Sequence, residues 1–343
     1  MAKPILLHCG DDIKWNKELY KKIQDKFEIR RSYSMNRADF IKALKDKTFG
    51  DFVAIYRPFW PTGGEMGRWD SELIDILPKS CKIYASSAAG FDWVDVKRLA
   101  ERGVIYCNAA AACTESVADA GIWHMIGTFR LTRWAEQAAE SCDPKQFFDT
   151  HNGIALYTTD PLGKKLGIIG LGRIGYRIAQ KAYLAFGMKI LYNDIRQMSE
   201  DVEKSVEATY YEKLDEMLPQ VDCLVVATPF GGDQVVTHDT FAKMKQGSRF
   251  VNIARGKLVN EDALIEALES GKLSSAGLDV FFDEPNMNKK LVGMRNVQIT
   301  AHTAGASIDS HMGFETMGME NILGFFENGK PISPVNLQWL KKE

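Results

Sequence analysis

The stretch that most constrains this chain is GLGRIG, from Gly170 to Gly175. It follows directly on an apolar run, Leu166–Ile169, and opens a segment from Arg173 to Phe186 with helical periodicity. A second apolar run, Met188–Tyr192, comes next, and Asp194 stands nineteen residues beyond Gly175. Strand, glycine loop, helix, strand and acid in that order make a unit suited to a dinucleotide. Gly170 permits the tight turn, Gly172 lets the backbone approach a pyrophosphate, and Gly175 lets the helix pack close on the strand. The N–H groups that open the helix face the phosphates. Asp194 would accept hydrogen bonds from ribose hydroxyls and repel a 2′-phosphate, which predicts NAD rather than NADP; Arg196, two residues on, argues the other way. About 165 residues precede the loop, so another folded unit comes first.

A length of 343 residues suggests two domains. The net charge of −2 and the absence of a basic block exclude nucleic acid as a main partner. No segment has the 18 apolar residues of a membrane span, and the N-terminal apolar run is too short for a secretory signal. The six cysteines show neither CxxC nor metal spacing, which predicts reduced thiols, a cytoplasmic location and no metal.

Before the glycine loop, Ile5–His8, Phe27–Arg31, Phe52–Ile55, Lys82–Ser86 and Val104–Cys107 read as strands. They alternate with helices at Trp15–Lys26, Arg37–Lys45, Trp69–Leu77 and Asp95–Arg102, which implies a parallel sheet covered on both faces. Thr114–Glu140 reads as one helix, apolar on so many sides that it should be buried on more than one of them, either between domains or across a subunit interface, or as a simple core helix. His124 and His151 are assigned structural roles. Beyond the loop, strands are expected at Asp222–Ala227, Arg249–Asn252, Ser275–Leu278 and Val297–Thr300, with a helix at Glu261–Ser270. Ligands of open α/β sheets sit beyond the carboxyl ends of the strands. Thr228, Arg255, Asp279 and His302 all stand at such ends. A last helix, Ile308–Asn328, ends at Gly329 and is expected to return to the first domain.

His302 is the first candidate for chemistry, because imidazole gives and takes a proton near neutrality. It is followed by Thr303-Ala304-Gly305-Ala306, small residues that leave room for a ligand. Glu284, in DVFFDEP, is a carboxylate of the kind that orients an imidazole and favours its protonated form. Arg255 carries a guanidinium fork that matches a carboxylate, which suggests an acid substrate beside a nicotinamide. In the first domain, SSAAGFD from Ser86 exposes backbone N–H groups suited to the same carboxylate. Phe59 and Trp60, in a Pro/Gly-rich loop, either line a substrate pocket or cover the core.

Taken together, these residues resemble the D-2-hydroxyacid dehydrogenase family. GLGRIG, NIARGKLVNEDAL from Asn252, SAGLDVFFDEP from Ser275 and AHTAG from Ala301 match its motifs in order, over nearly the whole chain. The resemblance implies a catalytic trio of Arg255, Glu284 and His302. It implies substrate contacts at Ala89, Gly90 and Arg255; Phe59 and Trp60 stay candidates from their loop alone. It implies cofactor contacts at Gly170, Gly172, Arg173, Ile174, Gly175, Asp194, Thr228, Ile253, Arg255, Asp279, His302 and Gly305, with Asp279 on the nicotinamide carboxamide. The implied fold is α/β: two Rossmann-like open parallel-sheet domains, the NAD domain (109–304) inserted into a flavodoxin-like substrate domain (1–108 plus 305–343). The implied reaction is reversible reduction of a 2-oxo acid to a D-2-hydroxy acid with NAD(H), in a homodimer formed through the long-helix region. GFDWVD, CDPKQF and DEPN look most like the yeast D-mandelate dehydrogenase type, which points to an aromatic or branched substrate. Glyoxylate or hydroxypyruvate reduction is one alternative; an NAD-sensing, corepressor-like binding protein is another. Two departures stand out: Ala301 replaces the usual Pro before the histidine, and Asp119 replaces the usual Glu of the long helix.

Overall fold

The computed structural model describes residues 2–58 and 66–340, so Phe59 and Trp60 lie outside the described residues. The chain divides into two compact units, Met1–Cys113 with Ala306–Glu343, and Thr114–Gly305.

In the first unit, strands β1 (Ile5–Cys9), β2 (Glu28–Tyr33), β3 (Ala54–Arg57), β4 (Ile83–Ser86) and β5 (Ile105–Cys107) alternate with helices α1 (Lys17–Lys26), α2 (Arg37–Lys45), α3 (Ser71–Ile74) and α4 (Val96–Glu101). The strands pair in parallel in the order β2-β1-β3-β4-β5, the flavodoxin-like order. Leu7, Ile55, Tyr84 and Tyr106 pack on one face of this sheet, and Leu6, Ala54, Ile83 and Cys107 on the other. β1, β3 and β4 are thus buried on both faces, whereas the edge strand β2, EIRRSY, alternates between half-buried and exposed.

The second unit opens with helices α5 (Thr114–Arg130), α6 (Thr132–Glu140) and α7 (Pro144–Gly153). It continues through β6 (Lys165–Ile169), α8 (Arg173–Phe186), β7 (Lys189–Asn193), α9 (Glu200–Ser205), β8 (Thr209–Tyr210) and α10 (Leu214–Met217). Then come β9 (Cys223–Val226), α11 (His238–Lys243), β10 (Ser248–Asn252), α12 (Glu261–Glu269), β11 (Leu273–Leu278), α13 (Lys289–Gly293) and β12 (Val297–Ile299). The sheet order is β12-β11-β10-β9-β6-β7-β8, all parallel. The order reverses between β6 and β9, the switch point at which such sheets bind nucleotides.

The expected single helix over Thr114–Glu140 is two helices. Leu131 adopts a left-handed backbone, φ +50°, and separates α5 from α6. The break is held by contacts distant in sequence. The Thr159 N–H donates to the Phe129 carbonyl at 3.1 Å, and the Thr132 hydroxyl donates to Gln298 Oε1 at 2.5 Å. α5 packs against α8, β10 and β11.

The final helix, α14 (Ile308–Asn328), has the bounds read from the sequence and returns to the first unit, where it lies on α1, β3 and β4. Its buried Glu315 accepts the N–H groups of Lys14 (2.7 Å), Trp15 (3.1 Å) and Asn16 (2.9 Å). Further on, the buried Asn336 accepts the Tyr106 N–H at 2.9 Å and donates to the carbonyls of Val96 (2.9 Å) and Val104 (3.0 Å). No helix among the described residues is long and apolar enough to cross a membrane.

Candidate active site

At the switch point the glycine loop has the geometry a pyrophosphate needs. Gly170 has φ +93°, and a Cβ there would lie 3.0 Å from Thr228 Cα, so the ends of β6 and β9 meet. A Cβ at Gly175 would fall 2.0 Å from the Gly170 carbonyl oxygen, which makes glycine obligatory for this helix–strand approach. A Cβ at Gly172 would meet nothing within 4 Å: the face presented by the loop is open. The first intrahelical hydrogen bond of α8 is made by Tyr176, to the Gly172 carbonyl. The N–H groups of Arg173, Ile174 and Gly175 therefore remain for an anion, reinforced by the helix dipole. Asp194 Oδ2 accepts the Leu171 N–H at 2.8 Å, and among the described residues Oδ1 takes no protein hydrogen bond, which leaves it for ribose hydroxyls. These residues fit a dinucleotide. Ile253 is buried, with its side chain facing Gly121 of α5.

Helix α8 is tied to α5 by a charged cluster. Arg177 pairs with Glu115 at 2.6 Å, and Lys181 pairs with both Glu115 (3.0 Å) and Asp119. The shorter Asp119 thus serves as one carboxylate of that cluster.

The catalytic candidates converge at the carboxyl ends of β10, β11 and β12. His302 Nδ1 lies 2.7 Å from Glu284 Oε2. Facing a carboxylate, Nδ1 carries the proton and donates it, and Nε2 is the atom left for a substrate. Glu284 is held by its other oxygen, which accepts the Phe281 N–H at 2.9 Å. Burial pushes the Glu284 carboxyl up, but the bonds from His302 and Phe281 together with the charges of His302 and Arg255 outweigh it, and the net shift is below the ordinary carboxylate value. The Glu284–Pro285 peptide bond is cis.

Arg255 comes from the turn after β10. Asn252 secures that turn at both ends, accepting the Ala254 N–H and donating to the Arg255 carbonyl, each at 3.0 Å. Gly256 brings it against the glutamate loop: a Cβ there would sit 1.9 Å from the carbonyl carbon and oxygen of Phe281. Only glycine permits two backbones to run this close.

Asp279 is almost fully buried, and its carboxylate accepts from the Thr300 hydroxyl (2.6 Å), the Thr303 N–H (2.8 Å) and the Ala304 N–H (3.0 Å). Its carbonyl accepts the His302 N–H at 2.8 Å. Asp279 therefore folds the loop around His302, whose backbone is left-handed at φ +55°. A carboxylate offers about four acceptor positions, so one remains for the carboxamide expected there. Thr300 and Asn252 are site residues that motif reading missed; their partners are visible only once the strand ends are side by side.

In the first unit, the loop after β4 has its carbonyls taken. Ala88 O accepts from the Ala109 N–H (2.9 Å), Ala89 O from the Asn108 side chain (2.9 Å) and Gly90 O from the Trp93 indole (3.2 Å). Among the described residues, the Ala89 and Gly90 N–H groups have no protein acceptor. Consecutive unpaired N–H groups form an anion-binding concavity.

A family model described as the NAD binding domain of D-isomer specific 2-hydroxyacid dehydrogenases matches residues 123–304, over half of the chain. The chain belongs to this family. Rhodotorula graminis D-mandelate dehydrogenase, in its holo form, superposes with a TM-score of 0.95 at 37% identity, covering 98% of each chain. The 4-methyl-2-oxopentanoate reductase A of Aspergillus oryzae is 35% identical over 304 residues, 88% of this chain and 89% of that one. A glyoxylate reductase of Pyrococcus horikoshii is 32% identical over 281 residues, 80% and 81% of the two chains. This dehydrogenase is accordingly an NAD-dependent oxidoreductase, and its second unit is the NAD-binding domain.

Proposed function

We propose that this dehydrogenase reduces a bulky aromatic or branched 2-oxo acid to the D-2-hydroxy acid, and runs the reverse oxidation, with Arg255, Glu284 and His302 as its catalytic trio. The observation that carries the reading is the 2.7 Å Glu284–His302 pair, beside Arg255, at the carboxyl edge of an NAD-binding sheet. Bound NADH supplies the hydride for the carbonyl carbon. Arg255 holds the substrate carboxylate through its guanidinium fork. His302 gives the Nε2 proton to the carbonyl oxygen as negative charge develops there, and takes it back in the oxidation. Glu284 holds Nδ1–H, so the ring keeps the orientation and tautomer that put Nε2 toward the substrate. NAD is the preferred cofactor because Asp194 would sit against a 2′-phosphate.

The size of the substrate is supported by the mandelate and 4-methyl-2-oxopentanoate relatives. The Pyrococcus glyoxylate reductase favours a second reading, glyoxylate or hydroxypyruvate reduction. A panel of phenylglyoxylate, 4-methyl-2-oxopentanoate, glyoxylate and hydroxypyruvate, each with NADH and NADPH, separates the two by kcat/KM. Tight NADH binding with no turnover on any of them would mark an NAD-sensing binding protein instead. A homodimer through the long-helix region is supported by the exposed apolar side chains that follow it, Phe147 and Phe148 of α7 and Leu156 just beyond, and light scattering should return twice the mass of one chain. Six free cysteines fit a reducing, cytoplasmic setting, to be checked by imaging the tagged chain.

A further inference from the structure

His124 lies in the middle of α5, is fully buried, and has no part in the mechanism above. Its ring stands over β11, where a Cβ at Gly277 would come within 2.8 Å of His124 Cβ and 3.1 Å of its Nδ1. His124 Nε2 is 2.9 Å from Thr300 Oγ1, and Thr300 Oγ1 is 2.6 Å from Asp279 Oδ1. His124 Nδ1 is buried without a hydrogen-bond partner.

The proton positions follow from counting. A threonine hydroxyl has one proton to donate. Asp279 already accepts two backbone N–H groups and acts as an acceptor only, so the Thr300 proton points at Asp279. The Thr300 oxygen then accepts a hydrogen bond from His124 Nε2–H. A second proton on the ring would sit at Nδ1 with no acceptor, and burial, partly opposed by the Asp279 charge, holds the His124 pKa down to about 4. His124 is therefore a neutral donor, and the donors run one way, from α5 through Thr300 into the carboxylate that folds the His302 loop.

We propose that His124 is a positioning residue for the reduction: by donating to Thr300 it fixes the hydroxyl that orients Asp279, and Asp279 holds His302 in its left-handed turn. The inference rests on His302 being the acid–base group of the reaction. If His302→Ala keeps wild-type turnover, that assignment fails; the relay itself is judged by the variants below.

Four variants test it: His124→Leu, which keeps similar volume and removes the donor; His124→Gln, whose amide nitrogen can replace Nε2; Thr300→Val; and the double variant His124→Leu/Thr300→Val. Each is assayed at saturating NADH and oxo acid, below the lowest Tm of the set. One hydrogen bond of ordinary strength predicts a loss of about five- to tenfold in kcat for His124→Leu. The KM for the oxo acid should stay within about twofold, because the relay does not touch Arg255. His124→Gln should recover most of the rate, and the double variant should be no slower than Thr300→Val alone. A purely packing role would make Leu and Gln equivalent and lower Tm without moving kcat. That outcome, or additive effects in the double variant, overturns the proposal. If His124→Leu does not fold, Thr300→Ser against Thr300→Val reads the same hydroxyl: Ser must hold kcat and Val must lose it, and equal rates overturn the relay.

Discussion

Replacing Gly256 by alanine adds a single carbon at a position with no side chain in contact with substrate. The structure makes it a severe test of the site. The new Cβ would stand 1.9 Å from Phe281 C and O and 2.6 Å from Phe282 N, where real Cβ contacts essentially never fall under 3.0 Å. The obstacle is backbone, so no side chain can swing aside, and the arginine turn and the glutamate loop must part by about an ångström. A displacement of about 1 Å between reacting groups costs about 10²-fold in rate, equivalent to about 2.7 kcal/mol of transition-state stabilisation. The loss should fall on kcat/KM for the oxo acid, measured by the disappearance of NADH absorbance. NADH affinity, read by fluorescence, should stay within about twofold of wild type, since Gly170–Gly175 and Asp194 belong to other strand ends. Gly293→Ala is the control: it lies in α13 with nothing within 4 Å of its Cβ, and should leave kcat/KM unchanged. Assays should run well below the Tm of the variant, so that unfolding is not counted as lost catalysis. If Gly256→Ala reduces oxo acid within about threefold of the wild-type rate, the close approach of the two loops is not what aligns Arg255 with the His302–Glu284 pair.

Three further outcomes are expected. His302→Ala should lose at least about 10²–10⁴ in kcat, the ordinary worth of general acid–base catalysis, while NADH binding persists; a small loss would remove His302 from the proton step. Glu284→Gln should move the alkaline limb of the reduction profile to lower pH, and an unmoved limb would detach Glu284 from the pair. Its stability effect has a defined sign. The folded carboxyl titrates below its ordinary 4.5, so its contribution is complete above about pH 4.5 and disappears as pH falls through the lower folded value. The Tm advantage of wild type over Glu284→Gln should thus shrink in acid. Asp194→Ala should raise kcat/KM with NADPH relative to NADH by at least about tenfold, and an unchanged ratio would show that the carboxylate does not select the cofactor.

Local signals carried far in this chain. The glycine loop and α8 are legible because three glycines, an apolar run and a helical period agree within about thirty residues. α14 is legible because Ser307 caps one end and Gly329, at φ +71°, closes the other. The break at Leu131 is invisible for a corresponding reason. Leu is a good helix former, no Gly or Pro marks the place, and the turn is held by Gln298 and Thr159, partners remote in sequence. Helix α7 did leave a signal, Asp143 capping and Pro144 opening it, which a reading that looks only for apolar periodicity passes over. In the site, strand-end position picks out Arg255, Asp279 and His302. It does not show that three donors converge on Asp279, nor that Asn252 secures the arginine turn, because those bonds depend on how the strand ends are aligned. His124 reads as an ordinary buried histidine for the same reason.

The return of α14 and Asn336 to the first unit has a consequence during synthesis. Residues 1–113 precede the NAD-binding domain, yet part of the cover on one face of their sheet, Met319, Ile322 and Leu323, follows it. Asn336, which satisfies the backbone of Val96, Val104 and Tyr106, is made roughly 220 residues after residue 113. At about 5–20 residues per second the ribosome needs roughly 10–45 s to cover that gap. Within it the whole NAD-binding domain appears and has time to fold, while the five-stranded sheet still lacks the α14 share of its cover. The unit translated first is therefore the unit completed last.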